Sequence, residues 1–226
     1  MTPTIQELTK DKIKEIIAKR IAKEFKENDI ITLGIGLPTE AANYVDENIN
    51  VIFQSENGIV GLGKDQKGPD FNNKIINAGG VCVELNKGAS FYDSQMAFTI
   101  MRGGHIDATV LGALQVDQEG SIASWQIPGK FVPGIGGSMD LIIGSKRVIV
   151  AMTHTAKDGS KIVKKCTLPL TAYKEVDMIV TERCVFKITP EEMILTEINP
   201  MFTVEDIKAS TDTDFKVSAN LKEMEI

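Results

Sequence analysis

Apolar residues near the start of the chain recur at helical spacing. Between residues 9 and 27, Ile13, Ile16, Ile17, Ile21 and Phe25 return every three or four positions, with lysines and glutamates between them. That pattern predicts an amphipathic helix, N-capped by Thr9 and carrying Asp11 in its first turn. Residues 30–38 then read Ile-Ile-Thr-Leu-Gly-Ile-Gly-Leu-Pro, a short strand entering a glycine turn, and residues 39–45 begin another helix. A second apolar strand opens at Val51-Ile52-Phe53-Gln54 and breaks at Ser55-Glu56-Asn57-Gly58.

Segments 81–85, 108–114, 121–125 and 147–152 continue the series of strands. Segment 92–102, with Met96, Phe98 and Ile100, predicts a helix stopped by Gly103-Gly104. Further on, 178–181, 185–188 and 193–196 predict strands joined by short turns, and Thr203 with Asp206 forms a capping box for a last helix. Strands alternating with helices indicate the α/β class. No linker and no repeat interrupts them. The expectation is one domain over residues 1–226: an open, mostly parallel sheet flanked by helices, with a strand-rich C-terminal part.

Composition narrows the chemistry. The 226 residues are 42% hydrophobic and 25% charged, ordinary for one globular domain. A net charge of −6 argues against nucleic acid or an anionic membrane as partner. No apolar run approaches the roughly 20 residues that cross a bilayer. The first residues lack the basic start and apolar core of a signal peptide, so the expected location is cytoplasmic. Cys82, Cys166 and Cys184 stand far apart with no C-x-x-C pair, which excludes a zinc or disulfide framework. Cys82, in Val81-Cys82-Val83, is expected to be a buried strand thiol.

Most catalytic constellations lack their residues. Gly34-Ile35-Gly36 follows a strand but fails the dinucleotide pattern, and no phosphate-loop motif occurs. His105 and His154 are the only histidines; there is no Gly-x-Ser-x-Gly elbow and no metal site is expected. His105 reads as a hydrogen-bonded structural residue and His154 as lying at a sheet end. Lys157, Lys161, Lys164 and Lys165 read as a solvated face, or as a seat for an anionic cofactor. The cluster Pro133-Gly134-Ile135-Gly136-Gly137-Ser138-Met139-Asp140 is either a tight turn or a loop whose N–H groups stabilise an oxyanion. Glu56 stands where an apolar strand stops, and the carboxyl ends of strands are where open α/β sheets bind ligands. A solvated turn carboxylate remains the alternative.

Longer runs change the balance. Leu33-Gly34-Ile35-Gly36-Leu37-Pro38, Gln54-Ser55-Glu56-Asn57-Gly58 and Ile75-Ile76-Asn77-Ala78-Gly79 occur in order. They are followed by Met101-Arg102-Gly103-Gly104-His105-Ile106-Asp107, the 134–141 glycine run and Lys165-Cys166-Thr167-Leu168-Pro169-Leu170-Thr171. In these the chain resembles the B (β) subunit of family I coenzyme A-transferases of the acetoacetate/butyrate (3-oxoacid) type. The resemblance implies a CoA-transferase fold (NagB/RpiA-like) and CoA exchange between short-chain acids, with acetoacetate exchanging against acetate, butyrate or succinate. It implies Glu56 as the nucleophile, passing through an acyl-glutamyl anhydride and a glutamyl-CoA thioester, and Gly137 as the oxyanion donor. Gly34, Gly36, Asn57, Gly134 and Gly136 are implied to line the CoA and substrate site. Coenzyme A enters as substrate, with no permanently bound cofactor, and an α (A) subunit completes an α2β2 complex. Thr32 and Gly80 depart from residues common in relatives. A transferase for another acid, such as 3-oxoadipate, and a non-catalytic metabolite sensor on a related fold stay open.

Overall fold

The structure, a computed structural model, describes residues 8–66, 73–132 and 134–226; the first seven residues, 67–72 and Pro133 lie outside these. Helix α1 (Lys10–Ala22) begins as its pattern requires, with Thr9 Oγ1 accepting from Lys12 N at 3.3 Å. It stops at Ala22 rather than 27, because the chain must turn into the sheet, and Asn28 makes that turn at φ 64°. Phe25, beyond the helix, is still buried and meets Phe53 edge-on at 6.0 Å.

Strands β1 (Ile30–Leu33), β2 (Ile52–Ser55), β3 (Ile59–Asp65), β4 (Val83–Phe91) and β5 (Ala108–Leu111) come first. A 3-10 helix, Leu37–Tyr44, replaces the second helix expected at 39–45. Helix α2 (Ser94–Arg102) is capped by Asp93 and ended by Gly103. The short strands β6 (Gln115–Asp117) and β7 (Ile122–Ala123) precede helix α3 (Ser138–Gly144) and β8 (Val148–Ala151). Then come β9 (Thr155–Ala156), β10 (Gly159–Ser160), β11 (Ile162–Val163), β12 (Met178–Val180), β13 (Cys184–Ile188), β14 (Met193–Ile198), helix α4 (Val204–Ser210) and β15 (Lys216–Glu223). The capping box of α4 forms as expected from Thr203 and Asp206.

Among the described residues ten strands make one sheet, in the order β15-β14-β13-β12-β8-β5-β1-β2-β3-β4. Its centre, β12-β8-β5-β1-β2, is parallel throughout, with antiparallel pairs on either side. Four of the expected strands are shorter or displaced. The strand expected at 108–114 ends at Leu111, that at 147–152 spans only Val148–Ala151, that at 121–125 shrinks to two residues, and that at 81–85 begins at Val83. Cys82 is half-buried rather than buried, held in a bridge to Ile76 beside the edge strand.

Two apolar layers cover the sheet. On one face α1 presses Ile16, Ile17 and Ile21 against Ile31, Val110 and Ile149. On the other, α2, α3, α4 and the β6-β7-β11 layer bury Met101, Leu141, Ile142, Ile162 and Ile207 against Val150, Ile179 and Phe186. Arg20 fastens α1 to β14: its Nε and Nη2 reach both oxygens of Glu197 at 2.6 Å. Such a bidentate, largely buried pair fixes direction as well as distance.

His154 follows β8 at the sheet end and is fully buried. Its Nδ1 lies 3.1 Å from Thr181 Oγ1 and its Nε2 2.9 Å from Thr211 Oγ1. Two hydroxyls can satisfy a neutral ring in either tautomer, whereas an imidazolium there would lose its hydration and lie near the positive charge of Arg183. Burial, aided by the nearby Arg183, accordingly pushes its pKa down from 6.5 to about 3. Above pH 6.5 the ring is neutral both folded and unfolded, so it adds no pH dependence. Below 6.5 the unfolded chain binds the proton and the folded chain does not. Stability should therefore fall on acidification through this window, by at most about 1.4 kcal/mol per pH unit from this group. Denaturant titrations between pH 7 and 5 should show a shallower decline in His154→Gln than in the parent; identical slopes would remove the buried neutral histidine as the cause.

Candidate active site

The parallel strands end at one edge of the sheet, and β1 has β2 on one side and β5 on the other. The chain thus reverses its direction of travel across the sheet at β1, which opens a crevice at the strand ends. Ser55 ends β2 and Glu56 is the next residue, in the tight turn before β3. Gly58 makes that turn possible. Its φ is 99°, and a Cβ there would collide with the backbone oxygen of Tyr92. The turn is tied down on both sides. Ser55 Oγ accepts from Ala78 N at 3.0 Å, and Asn57 Nδ2 donates to Ile76 O at 2.8 Å. Behind it Gln54, almost fully buried, accepts from Thr32 Oγ1 at 2.7 Å.

Helix α3 brings the glycine loop to the same place. A Cβ added to Gly137 would collide with Glu56 Oε2, and would lie 3.1 Å from its Cδ and 3.4 Å from Phe98 Cζ. A Cβ on Gly136 would lie 4.0 Å from Glu56 Oε1. Neither Gly136 nor Gly137 donates a backbone hydrogen bond to any described residue. The Glu56 carboxyl therefore lies against a stretch of bare backbone. It is half-buried, and its pKa is raised above the ordinary carboxylate value by burial first and by the neighbouring charge of Asp140 second.

The other expected residues fall in different places. Gly34 packs against the next strand, with its N–H on Val110 O at 2.7 Å and room for no side chain beside Leu111. Gly36, at φ 92°, caps the 3-10 helix and faces open space, as does Gly134 at φ 95°. Asn57 holds the turn through Ile76. His105 is exposed, and its ring makes no hydrogen bond among the described residues, contrary to the bonded role expected of it. Lys164 and Lys165 line a groove of about 840 Å³ with Thr155, Ser160 and Asp212, apart from Glu56. Burial lowers the pKa of Lys161 to about 8. Among the described residues no cluster of histidine, cysteine and carboxylate suits a metal ion, and no helix is long and apolar enough to cross a membrane.

Two residues near Glu56 carry no site expectation from the sequence, Phe98 and Asp140, and behind Asp140 stands a third, Arg102. Asp140 sits three residues after Gly137 and Arg102 ends α2; Arg102 Nε meets Asp140 Oδ1 at 2.6 Å. The signal available in the sequence was the three-residue step from Gly137, which places Asp140 on the same face once α3 is recognised.

Comparison with known proteins agrees along the length of the chain. Residues 14–210 match the family described as coenzyme A transferase. The chain is 51% identical over 214 residues to the beta subunit of the acetate CoA-transferase of Haemophilus influenzae, covering 94% of this chain and 96% of that one. It is 43% identical over 206 residues to one subunit of the succinyl-CoA:3-ketoacid coenzyme A transferase of Helicobacter pylori, covering 91% and 99%. Among solved structures, an acyl-CoA transferase of Escherichia coli O157:H7 superposes with a TM-score of 0.75 at 21% identity; the match covers 97% of this chain and 44% of that longer one. The decarboxylase AibA/AibB shares the fold at a TM-score of 0.70 and 16% identity, over 94% and 88%. The fold thus carries more than one reaction, and it is the sequence similarity that selects among them. On those matches the chain belongs to the coenzyme A transferase family, as a β-type subunit.

Proposed function

We propose that this chain is the nucleophile-bearing half of an enzyme that moves CoA between short-chain carboxylic acids, acetoacetate exchanging with acetate, butyrate or succinate. One observation carries the reading: the Glu56 carboxylate, half-buried at a strand end, lies directly against the bare backbone of Gly137. The named relatives, an acetate and a succinyl-CoA:3-ketoacid transferase, favour small acids. A cavity of about 50 Å³ beside Ser55, walled by Leu33, Ile35, Phe53 and Leu62, has room for a short acyl chain and little more.

The chemistry follows from those groups. A Glu56 oxygen attacks the thioester carbonyl of an acyl-CoA; the C–S bond breaks, leaving an acyl-glutamyl anhydride and CoA thiolate. The thiolate then attacks the glutamyl carbonyl, and the acid departs as carboxylate from a glutamyl-CoA thioester. A second carboxylate reverses both steps. No proton is abstracted, so the buried neutral His154 and exposed His105 are not needed. Covalent catalysis divides one difficult exchange into easier ones. The N–H of Gly137 faces each tetrahedral oxyanion, a contact typically worth about 3 kcal/mol.

The site also needs cover, because water would hydrolyse both intermediates. Large apolar side chains stand exposed on the segments that build it: Ile35, Phe91, Phe131, Val132, Met139 and Ile143. Such a concentration marks a surface that a partner covers. The partner is the α subunit, in an α2β2 assembly.

Three experiments test this reading. The first follows Glu56 itself. Glu56→Gln should leave the complex assembled and abolish exchange, while borohydride or hydroxylamine should modify Glu56 of the parent complex in the presence of acyl-CoA, as read by peptide mass. An unmodified Glu56 would sink the covalent route. In the second, Gly137→Ala should cost on the order of a hundredfold in kcat with a smaller change in KM, since it displaces the nucleophile and its donor together. In the third, the purified chain alone should show no exchange until α subunit is added, with the reconstituted mass measured by light scattering; full activity alone would exclude the obligate partner.

A further inference from the structure

The Arg102–Asp140 pair lies outside the chemistry just described, yet it is built against the nucleophile. Asp140 is one helical turn beyond Gly137, and positions three apart share a helix face. The face that touches Glu56 therefore also carries Asp140. Helix α2 supplies the opposite charge: Arg102 Nε donates to Asp140 Oδ1 at 2.6 Å. Arg102 also lies over the ring of Phe98, 5.5 Å from its centroid. Phe98 in turn packs at Gly137, where its Cζ would be 3.4 Å from an added Cβ. Glu56, Phe98, Asp140 and Arg102 thus form one contiguous cluster across the turn after β2, α2 and α3.

We propose that Asp140 and Arg102 are positioning residues that set the reactivity of Glu56 by opposed charges: Asp140 drives the carboxylate toward attack, and Arg102 limits that drive so that the covalent forms turn over. The inference rests on Glu56 being the nucleophile. A carboxylate beside a second carboxylate is destabilised, and attack on the thioester removes its charge. The repulsion is relieved in the anhydride and in the glutamyl-CoA thioester, and it returns when free Glu56 is regenerated. Asp140 alone would favour formation of the intermediates and hinder their release. Arg102 offsets part of its charge.

The other groups around Glu56 do not substitute for this pair. Asp93, the N-cap of α2, is held on Met96 N at 2.8 Å and is not among the charges that raise Glu56. From the end of β4, Tyr92 is a phenol whose pKa burial pushes further up. The loop at 75–80 contributes Asn77, which is uncharged. Asp140 is the charged neighbour that raises Glu56.

The experiment compares Asp140→Asn, Asp140→Glu and Arg102→Gln in the assembled complex. Both Asp140→Asn and Arg102→Gln break the same ion pair. If the pair only braces α2 against α3, their effects have the same sign. If it sets charge, the signs are opposite. Asp140→Asn should move the acid limb of kcat/KM for acyl-CoA to lower pH, and lower the plateau by roughly threefold to tenfold as Glu56 becomes a weaker base. It should also reduce the glutamyl-CoA fraction found by mass at equilibrium. Arg102→Gln should move the limb to higher pH and raise that fraction. Asp140→Glu, which keeps the charge, should restore the parent profile, and high salt should shrink every shift. Parallel shifts in the two charge-removing variants, or none, would overturn the inference. Failure of Glu56→Gln to abolish exchange would instead overturn the nucleophile reading beneath it. A variant that does not assemble is replaced by the double Asp140→Asn/Arg102→Gln, whose limb should lie between that of Asp140→Asn and the parent; a limb at or above the parent's also overturns the inference.

Discussion

The carboxylate of Glu56 can occupy its place only because residue 137 has no side chain. An added Cβ would overlap Oε2, so β2 and α3 could not both keep their positions. That single close approach constrains much of the molecule. Strand β2 must end at Ser55, the turn must reverse sharply through Gly58, and α3 must begin at residue 138 with its preceding backbone against the strand end. Packed interiors respond to sub-ångström changes because they have few voids to absorb them. The two apolar layers and the tethers from Ser55 and Asn57 therefore serve one geometric purpose. They hold a charged group against bare backbone without letting it relax away.

How much of this could be read from the sequence depends on whether a residue's neighbours are near in the chain. Helix α1 was legible because Ile16, Ile17 and Ile21 repeat at its own period, and the box of Thr203 with Asp206 is likewise local. Its end was not: Phe25 keeps the helical spacing but is buried against Phe53 from outside the helix. Strand β15 was missed because it is an edge strand exposed along most of its length, so no burial demands an apolar alternation. Strand β3 is interrupted by Gly61, which lets Ala89 of β4 approach closely and cuts its β-branched start short after Val60. Helix α3, seven residues long, is too short for its period to show.

The site divides the same way. Glu56 at the end of a strand and the glycine run before α3 were each visible as local irregularities. Their contact was not, since it depends on how two remote segments cross at the sheet edge. Gly34 and Gly36, the more obvious glycines, lie against Leu111 and at the N-cap of the 3-10 helix. Asp140 and Arg102 lay inside recognisable runs, but nothing in either run says that they meet.

The electrostatics of Glu56 then follow from its half-burial. A carboxylate fully in water would be a weak nucleophile, well solvated and beyond the reach of Asp140. One fully buried would lose its charge and with it the power to attack. At an intermediate depth, burial and one neighbouring charge both raise its basicity while leaving it ionisable. On the proposed reading the exposed side of that arrangement faces the apolar rim formed by Ile35, Val132 and Ile143. A partner that covered this rim would remove the remaining water, strengthen the influence of Asp140 and Arg102, and protect the proposed thioester. On the same proposed reading, the depth of Glu56 is matched to a site that a second subunit closes, and its reactivity becomes a property of the assembly.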